Sequence, residues 1–249
     1  MRTQIERKTV RELVLEMPLA ARIFEDLGID YCCGGEKALV DACANAKVKI
    51  GDVISALAKP QSVPADRDWR NAALSELAQH IVERHHSFTR EEIERLVPLI
   101  SKVVSAHGTN HPELLQLESL FRDLAQELTA HMAKEEHVLF TYIAEMERAA
   151  NNEHPLPRAT FGTVQNPVRM MVSEHDSSGG SLHELRRLAN GYVPPLDSCA
   201  AYQALYRALE AFEKDLHNHI HLENNILFPR CLDLEMASLE ICAGACKDA

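Results

Sequence analysis

The sequence has no apolar run near the roughly 18 residues that span a bilayer. Its N-terminus, "MRTQIERKTVREL", lacks the apolar stretch of a secretion signal. A soluble, cytoplasmic protein with no membrane partner is the expectation. Positive charge is scarce as well: 26 Lys and Arg against 37 Asp and Glu leave a formal net charge of −11. That balance disfavours nucleic acid and anionic membranes, although a local basic patch can hide within it. Seven cysteines make an odd count without an export signal, which argues against a disulfide framework and for reduced or redox-active thiols. From Asn71 onward strand patterns are almost absent, so the expected fold class is all-α.

What is present falls into segments. Residues 1–58 read as a small domain of short helices, with Thr9 and Glu12 forming a capping box before "VRELVLEM". Pro18 ends or restarts that helix, and Gly28 stops the next one. The stretch 59–69, "KPQSVPADRDW", reads as a linker. Residues 70–236 carry four long helical patterns separated by breakers at "HGTNHP", "NNEHPLPRATFG" and "NGYVPPLDS". Four amphipathic segments with short connections predict an up-down four-helix bundle, the first of them kinked at Pro98. A tail, 237–249, adds Cys242 and Cys246.

The chain holds 13 histidines, and their placement carries the chemistry. One apolar seam runs Leu117, Phe121, Leu124, Leu128, His131, Glu135, Val138, Tyr142; another runs Leu205, Leu209, Phe212, Leu216, His219, Glu223, Ile226. Each puts a histidine and a carboxylate on a buried helix face, where a charge needs compensation. The two segments, "HMAKEEHVLFT" and "HIHLENNILFP", share H-x-x-x-E followed by an apolar residue and Leu-Phe, an internal repeat. The repeat extends upstream: His86 precedes His131 by 45 positions and His175 precedes His219 by 44. His86 shares a seam with Val82, Ile93, Leu96 and Ile100, with His85 as a rival for its place. His175 shares one with Val168, Met171, Leu182 and Leu185.

A single histidine on an apolar seam is more often a hydrogen-bonded core residue than a ligand, and a lone H-x-x-x-E pair arises by chance. Two matched copies, each with an upstream histidine, favour a metal. Four imidazoles and two carboxylates suit a dinuclear site for non-haem iron better than manganese or zinc. Glu135 and Glu223 are the expected bridges, leaving room for water, an oxo bridge or a diatomic ligand. His217 and His221 fall off the seam and read as exposed or as supports, as do Glu136 and His137. The stretch "DYCCGG" (30–35) stays open between a redox centre, a metal site and a tight turn with buried thiols.

In "HMAKE", "SEHD" and "HIHLE" the chain resembles the haemerythrin-like (HHE cation-binding) superfamily. With "DYCCGG" in a helical N-terminal module of ScdA type, it is similar to the Repair of Iron Centres family of di-iron proteins. The likeness runs from "VRELVLEMPLAARIFEDLGIDYCCGG" to "LENNILFPR". It implies a haemerythrin-like bundle holding two non-haem iron ions, oxo- or hydroxo-bridged, on His86, His131, His175 and His219, with Glu135 and Glu223 between them. It also selects His86 over His85 and gives Cys32 and Cys33 a role in the chemistry. The implied function is repair of iron–sulfur clusters damaged by nitric oxide or peroxide, with damaged or apo iron–sulfur proteins as partners and nitric oxide or oxygen as small ligands. Iron donation fits better than enzymatic turnover. A haemerythrin-like oxygen or nitric oxide binding protein, or a nitric oxide reductase, is the alternative. A homodimer stays among the options.

Overall fold

A computed structural model describes residues 5–17, 20–58, 68–152 and 154–245 of the protein. Pro18, most of the linker (59–67) and Cys246 lie outside them. Among the described residues there are two isolated β-bridges and no strand. The fold is all-α, and its long helices are those of a four-helix bundle. By internal contacts the chain divides into two compact units: residues 1–73 with 217–230, and residues 74–216 with 231–249.

The first unit contains α1 (Val10–Glu16), α2 (Ala20–Asp26), α3 (Leu39–Asn45) and α4 (Ile50–Leu57). Helices of seven or eight residues are too short to be stable alone, so they depend on packing and caps. Thr9 closes a capping box on α1: its hydroxyl accepts the Glu12 N–H at 3.1 Å and its own N–H donates to Glu12 Oε2 at 2.7 Å. Gly28 follows α2 with φ of 65°, a conformation that costs a side-chain-bearing residue far more than glycine. Val10, Leu13, Phe24, Ile29, Tyr31, Leu39 and Val53 form one buried core. The segment 217–230 belongs to the same unit. Asn225 donates to the Tyr31 carbonyl (3.1 Å), Tyr31 donates to Asn218 Oδ1 (3.1 Å), and Arg230 donates to the carbonyls of Trp69 and Ala72 (3.0 and 2.6 Å).

The second unit contains α5 (Leu74–His80), α6 (Ser87–His107), α7 (Glu113–Lys134), α8 (Phe140–Asn151), α9 (Gln165–Leu188), most of α10 (Ala200–Leu222) and most of α11 (Phe228–Ala245). The predicted breakers are where these helices end. Pro98 sits inside α6, which continues through it. Leu117, Phe121, Leu124 and Leu128 of α7, Leu205, Leu209, Phe212 and Leu216 of α10, and Met171, Leu182 and Leu185 of α9 are all buried. Phe121 meets Phe212 edge to face at 5.5 Å. Polar groups bolt the helices together: Arg186 of α9 forks onto buried Glu213 of α10 (3.0 and 2.9 Å), and Glu147 of α8 accepts the Leu74 and Ser75 N–H groups that open α5 (2.6 and 3.0 Å).

Three π-helical turns interrupt these helices: Ile81–His86, Glu135–Leu139 and Glu223–Leu227. Such a turn bonds each residue to the fifth along and so admits one extra residue into the helix. The predicted seam misses at Val138 for this reason, while Tyr142, its next position, is buried as expected. Val138 is 47% exposed, and Leu139, Ile143 and Met146 carry the buried face onward. In the first turn Ile81, rather than half-buried Val82, lies in the core, and His85 and His86 are both buried.

Candidate metal centre

Every one of the six residues singled out on the seams is buried: His86, Glu135 and Glu223 are fully enclosed, and His131, His175 and His219 nearly so. Glu135 and Glu223 each follow a histidine by one α-helical step of four, at the point where a π-turn opens, while His86 closes the third π-turn. His175 projects from α9 without one.

Two groups result. His86, Glu135, His219 and Glu223 each bring one ligand atom to within 4.8 Å of the others, and so do His131, Glu135, His175 and Glu223. Both glutamates belong to both groups. Glu135 divides its carboxylate: Oε1 lies 3.2 Å from His131 Nε2 and Oε2 lies 3.4 Å from His86 Nε2. His131 Nε2 stands 3.0 Å from His175 Nε2, and His219 Nε2 lies 3.1 Å from Glu223 Oε1.

The donor set fits a metal. Two fully buried carboxylates amid imidazoles need positive charge, and the nearby cations, Arg90 and Lys134, are engaged by Glu136 and Glu174 instead. A 3.0 Å separation of two imidazole nitrogens matches neighbouring ligands at right angles on one ion with metal–nitrogen bonds of about 2.1 Å. Two of the four rings, those of His86 and His131, are held from outside by a carboxylate. Glu136 Oε1 lies 2.6 Å from His86 Nδ1, and Glu174 Oε2 lies 2.7 Å from His131 Nδ1. A carboxylate there takes the Nδ1 proton as a hydrogen bond and leaves the Nε2 lone pair facing inward. Burial alone would raise the pKa of Glu136, but bonds from His86 and Arg90 outweigh it and hold that carboxyl below its ordinary value. Lys134 and His131 do the same for Glu174. Phe140 stacks on His86 at 5.8 Å and closes that side to water.

The remaining histidines have other work. His85 pairs with Asp215 at 3.0 Å. His137 is exposed. Of the two options for His221, exposed or a support, the structure excludes exposure: it is buried, its Nδ1 lies 2.8 Å from the Asn225 side chain and its ring tilts against Tyr31 at 5.6 Å. Burial pushes its pKa down to about 4. His217 is half-buried and lies 2.8 Å from Glu25. Glu174 is the support residue that seam reasoning passed over. The available signal was its position beside His175, matching Glu136 beside Glu135.

The cysteines sit less openly than a presented turn would suggest. Cys32 is buried and Cys33 half-buried, and their Sγ atoms stand 3.8 Å apart. Asp30 Oδ1 accepts the N–H groups of Cys32 and Cys33 at 3.2 and 3.0 Å, folding the loop around its carboxylate. A Cβ on Gly34 would stand 2.7 Å from Asp30 Oδ2. On Gly35 it would stand 3.2 Å from Asn225 Oδ1, the Tyr31 carbonyl and Arg11 Cβ. Both glycines are there for close approach; neither has a positive φ.

Comparison with known proteins adds to this geometry. The Hemerythrin HHE cation binding domain matches residues 77–231, and an ScdA-type N-terminal domain of unknown function (DUF542) matches residues 6–61. The chain is similar to the iron–sulfur cluster repair protein YtfE of Escherichia coli O81 (strain ED1a) and of Shigella boydii serotype 4 (strain Sb227). Each is 34% identical over 222 residues, covering 89% of this chain and 94% of the relative.

Proposed function

The chain belongs to the hemerythrin HHE cation-binding family and to the family of the iron–sulfur cluster repair protein YtfE, and from that premise we propose that it is a di-iron protein. In this reading it repairs iron–sulfur clusters damaged by nitrosative or oxidative stress, in the cytoplasm, with damaged or apo iron–sulfur proteins as partners. His86 and His219 would hold one ion and His131 and His175 the other, with Glu135 and Glu223 available to both. The observation that carries this reading is the divided carboxylate of Glu135, one oxygen turned to each group.

When bound, iron supplies a redox-active Lewis acid able to take water, oxygen or nitric oxide. The protein's own part is to present and shield. Glu136 and Glu174 keep the Nδ1 protons of His86 and His131, so both rings offer Nε2 inward at neutral pH. The buried seams above and below exclude bulk water. Cys32 and Cys33 are, in this reading, the thiol half of the device, whose step is electron donation, capture of a transferred ligand or docking of the damaged protein.

Metal analysis of the purified protein tests the centre. The expected content is about two irons per chain, lost on His131→Ala or Glu223→Ala; absence of iron, with or without zinc, overturns it. Repair is tested by restoring activity to a protein whose [4Fe–4S] cluster has been damaged by nitric oxide. If Cys32→Ser and Cys33→Ser leave that activity unchanged, a simple oxygen or nitric oxide carrier becomes the better account.

A further inference from the structure

Asp30, Cys32 and Cys33 form a second kind of ligand cluster, with one ligand atom from each within 4.8 Å of the others. Cys32 Sγ lies 3.8 Å from Cys33 Sγ and 3.5 Å from Asp30 Oδ1. Those two lengths have a meaning. Around a tetrahedral ion with metal–sulfur bonds of about 2.3 Å and metal–oxygen bonds of about 2.0 Å, neighbouring sulfurs stand about 3.8 Å apart and sulfur and oxygen about 3.5 Å. Adjacent cysteines in extended chain point to opposite sides. Here the loop bends around Asp30, and the closeness of Gly34 to that carboxylate allows the bend.

We propose that Asp30, Cys32 and Cys33 bind a thiophilic divalent ion through two thiolates and one carboxylate, at a site separate from the histidine–glutamate groups. The assignment stands whether or not those groups hold two irons. Two thiols give up their protons as the ion binds, so each divalent ion taken up releases two protons. Three protein ligands leave the fourth position of a tetrahedral ion open, the arrangement of a site that exchanges its ion or takes an outside ligand. Access comes from exposed Asp30 and half-buried Cys33, while buried Cys32 supplies the inner ligand. The loop is fixed from behind by the residues that follow Glu223. Asn224 donates to the Cys32 carbonyl at 3.3 Å and Asn225 to the Tyr31 carbonyl at 3.1 Å.

Cobalt(II) is the probe, because thiolate ligation gives an intense near-ultraviolet charge-transfer band that histidine and glutamate ligands do not. Titrating the full chain is expected to raise this band to saturation at one ion per chain, with two protons released into a weakly buffered indicator solution. Cys32→Ser with Cys33→Ser is expected to abolish the band while Cys199, Cys231 and the tail cysteines remain. Asp30→Asn keeps an acceptor for the loop and is expected to weaken binding by about ten-fold or more. Helical content by circular dichroism reports whether each variant folds. Cobalt-edge X-ray absorption on the unaltered protein needs no variant at all: absence of a sulfur shell overturns the site. A band that persists in the folded double variant overturns it equally.

Discussion

Glu136 reaches the two ligand groups through the ring of His86, which its carboxylate holds by Nδ1 at 2.6 Å. Replacing it with Gln keeps the size and removes the charge that holds the Nδ1 proton. Glu136→Gln is therefore expected to weaken iron retention about 10–100-fold in competition with a chelator, and Glu174→Gln to do the same through His131. A second residue acts on stability. His111 Nε2 lies 3.0 Å from Asp197 and its Nδ1 lies 3.1 Å from Glu113, while Tyr202 and His107 flank the ring. The bond to Asp197, then that to Glu113, raises the histidine pKa above its ordinary value. A raised pKa stabilises the fold fully below the unfolded value, and that stability is lost as pH rises through the folded one. The difference in melting temperature between the protein and His111→Asn should be largest below the ordinary histidine range, about pH 6, and shrink as pH rises above that range. A difference independent of pH would assign His111 to packing alone.

At the scale of the element, the π-turns make a prediction opposite to that of an unbroken helical seam. Leu139→Ala is expected to cost about 2–5 kcal/mol in denaturant unfolding, and Val138→Ala less than about 0.5 kcal/mol. The reverse order would place Val138 in the core. The same turns mark the limit of what was legible from sequence. His131, His175, His219, Glu135 and Glu223 stood out because four- and three-residue steps lead straight to them through Leu and Phe. The spacing could not reveal that the helix widens there, so Val138 was carried forward in place of Leu139, and His85 and His86 competed for one position when both are buried. Because a seam describes one face only, it leaves exposure and a supporting role open for His221. Its other neighbours, Tyr31 and Asn225, include a residue nearly two hundred positions away that no local period can report. Glu174 bonds across to α7, and such supports become visible only when two helices are side by side.

For the whole molecule, the proposed centre draws ligands from all four long helical segments, so metal binding and folding would form one equilibrium. An ion that binds only the folded chain stabilises it by about 4 kcal/mol when present at 1,000 times its dissociation constant. Stripping the protein with a chelator is thus expected to lower its melting temperature, and iron(II) to restore it; an unchanged transition would mean that the fold neutralises Glu135 and Glu223 without metal. Among the described residues no helix is long and apolar enough to cross a membrane. The family matches at 6–61 and 77–231 account for both the thiol loop and the histidine–glutamate groups within one chain.

Gly35 has no side chain to bind anything, and yet a Cβ there would stand 3.2 Å from Asn225 Oδ1, two residues beyond Glu223. A random screen for loss of iron would score Gly35→Ala or a larger replacement as a hit, with chelator competition revealing weakened retention. An inventory of ligands would overlook the position. Inheritance of such a defect would look like damage to the thiol loop, when what had shifted was the grip of a carboxylate on its ion.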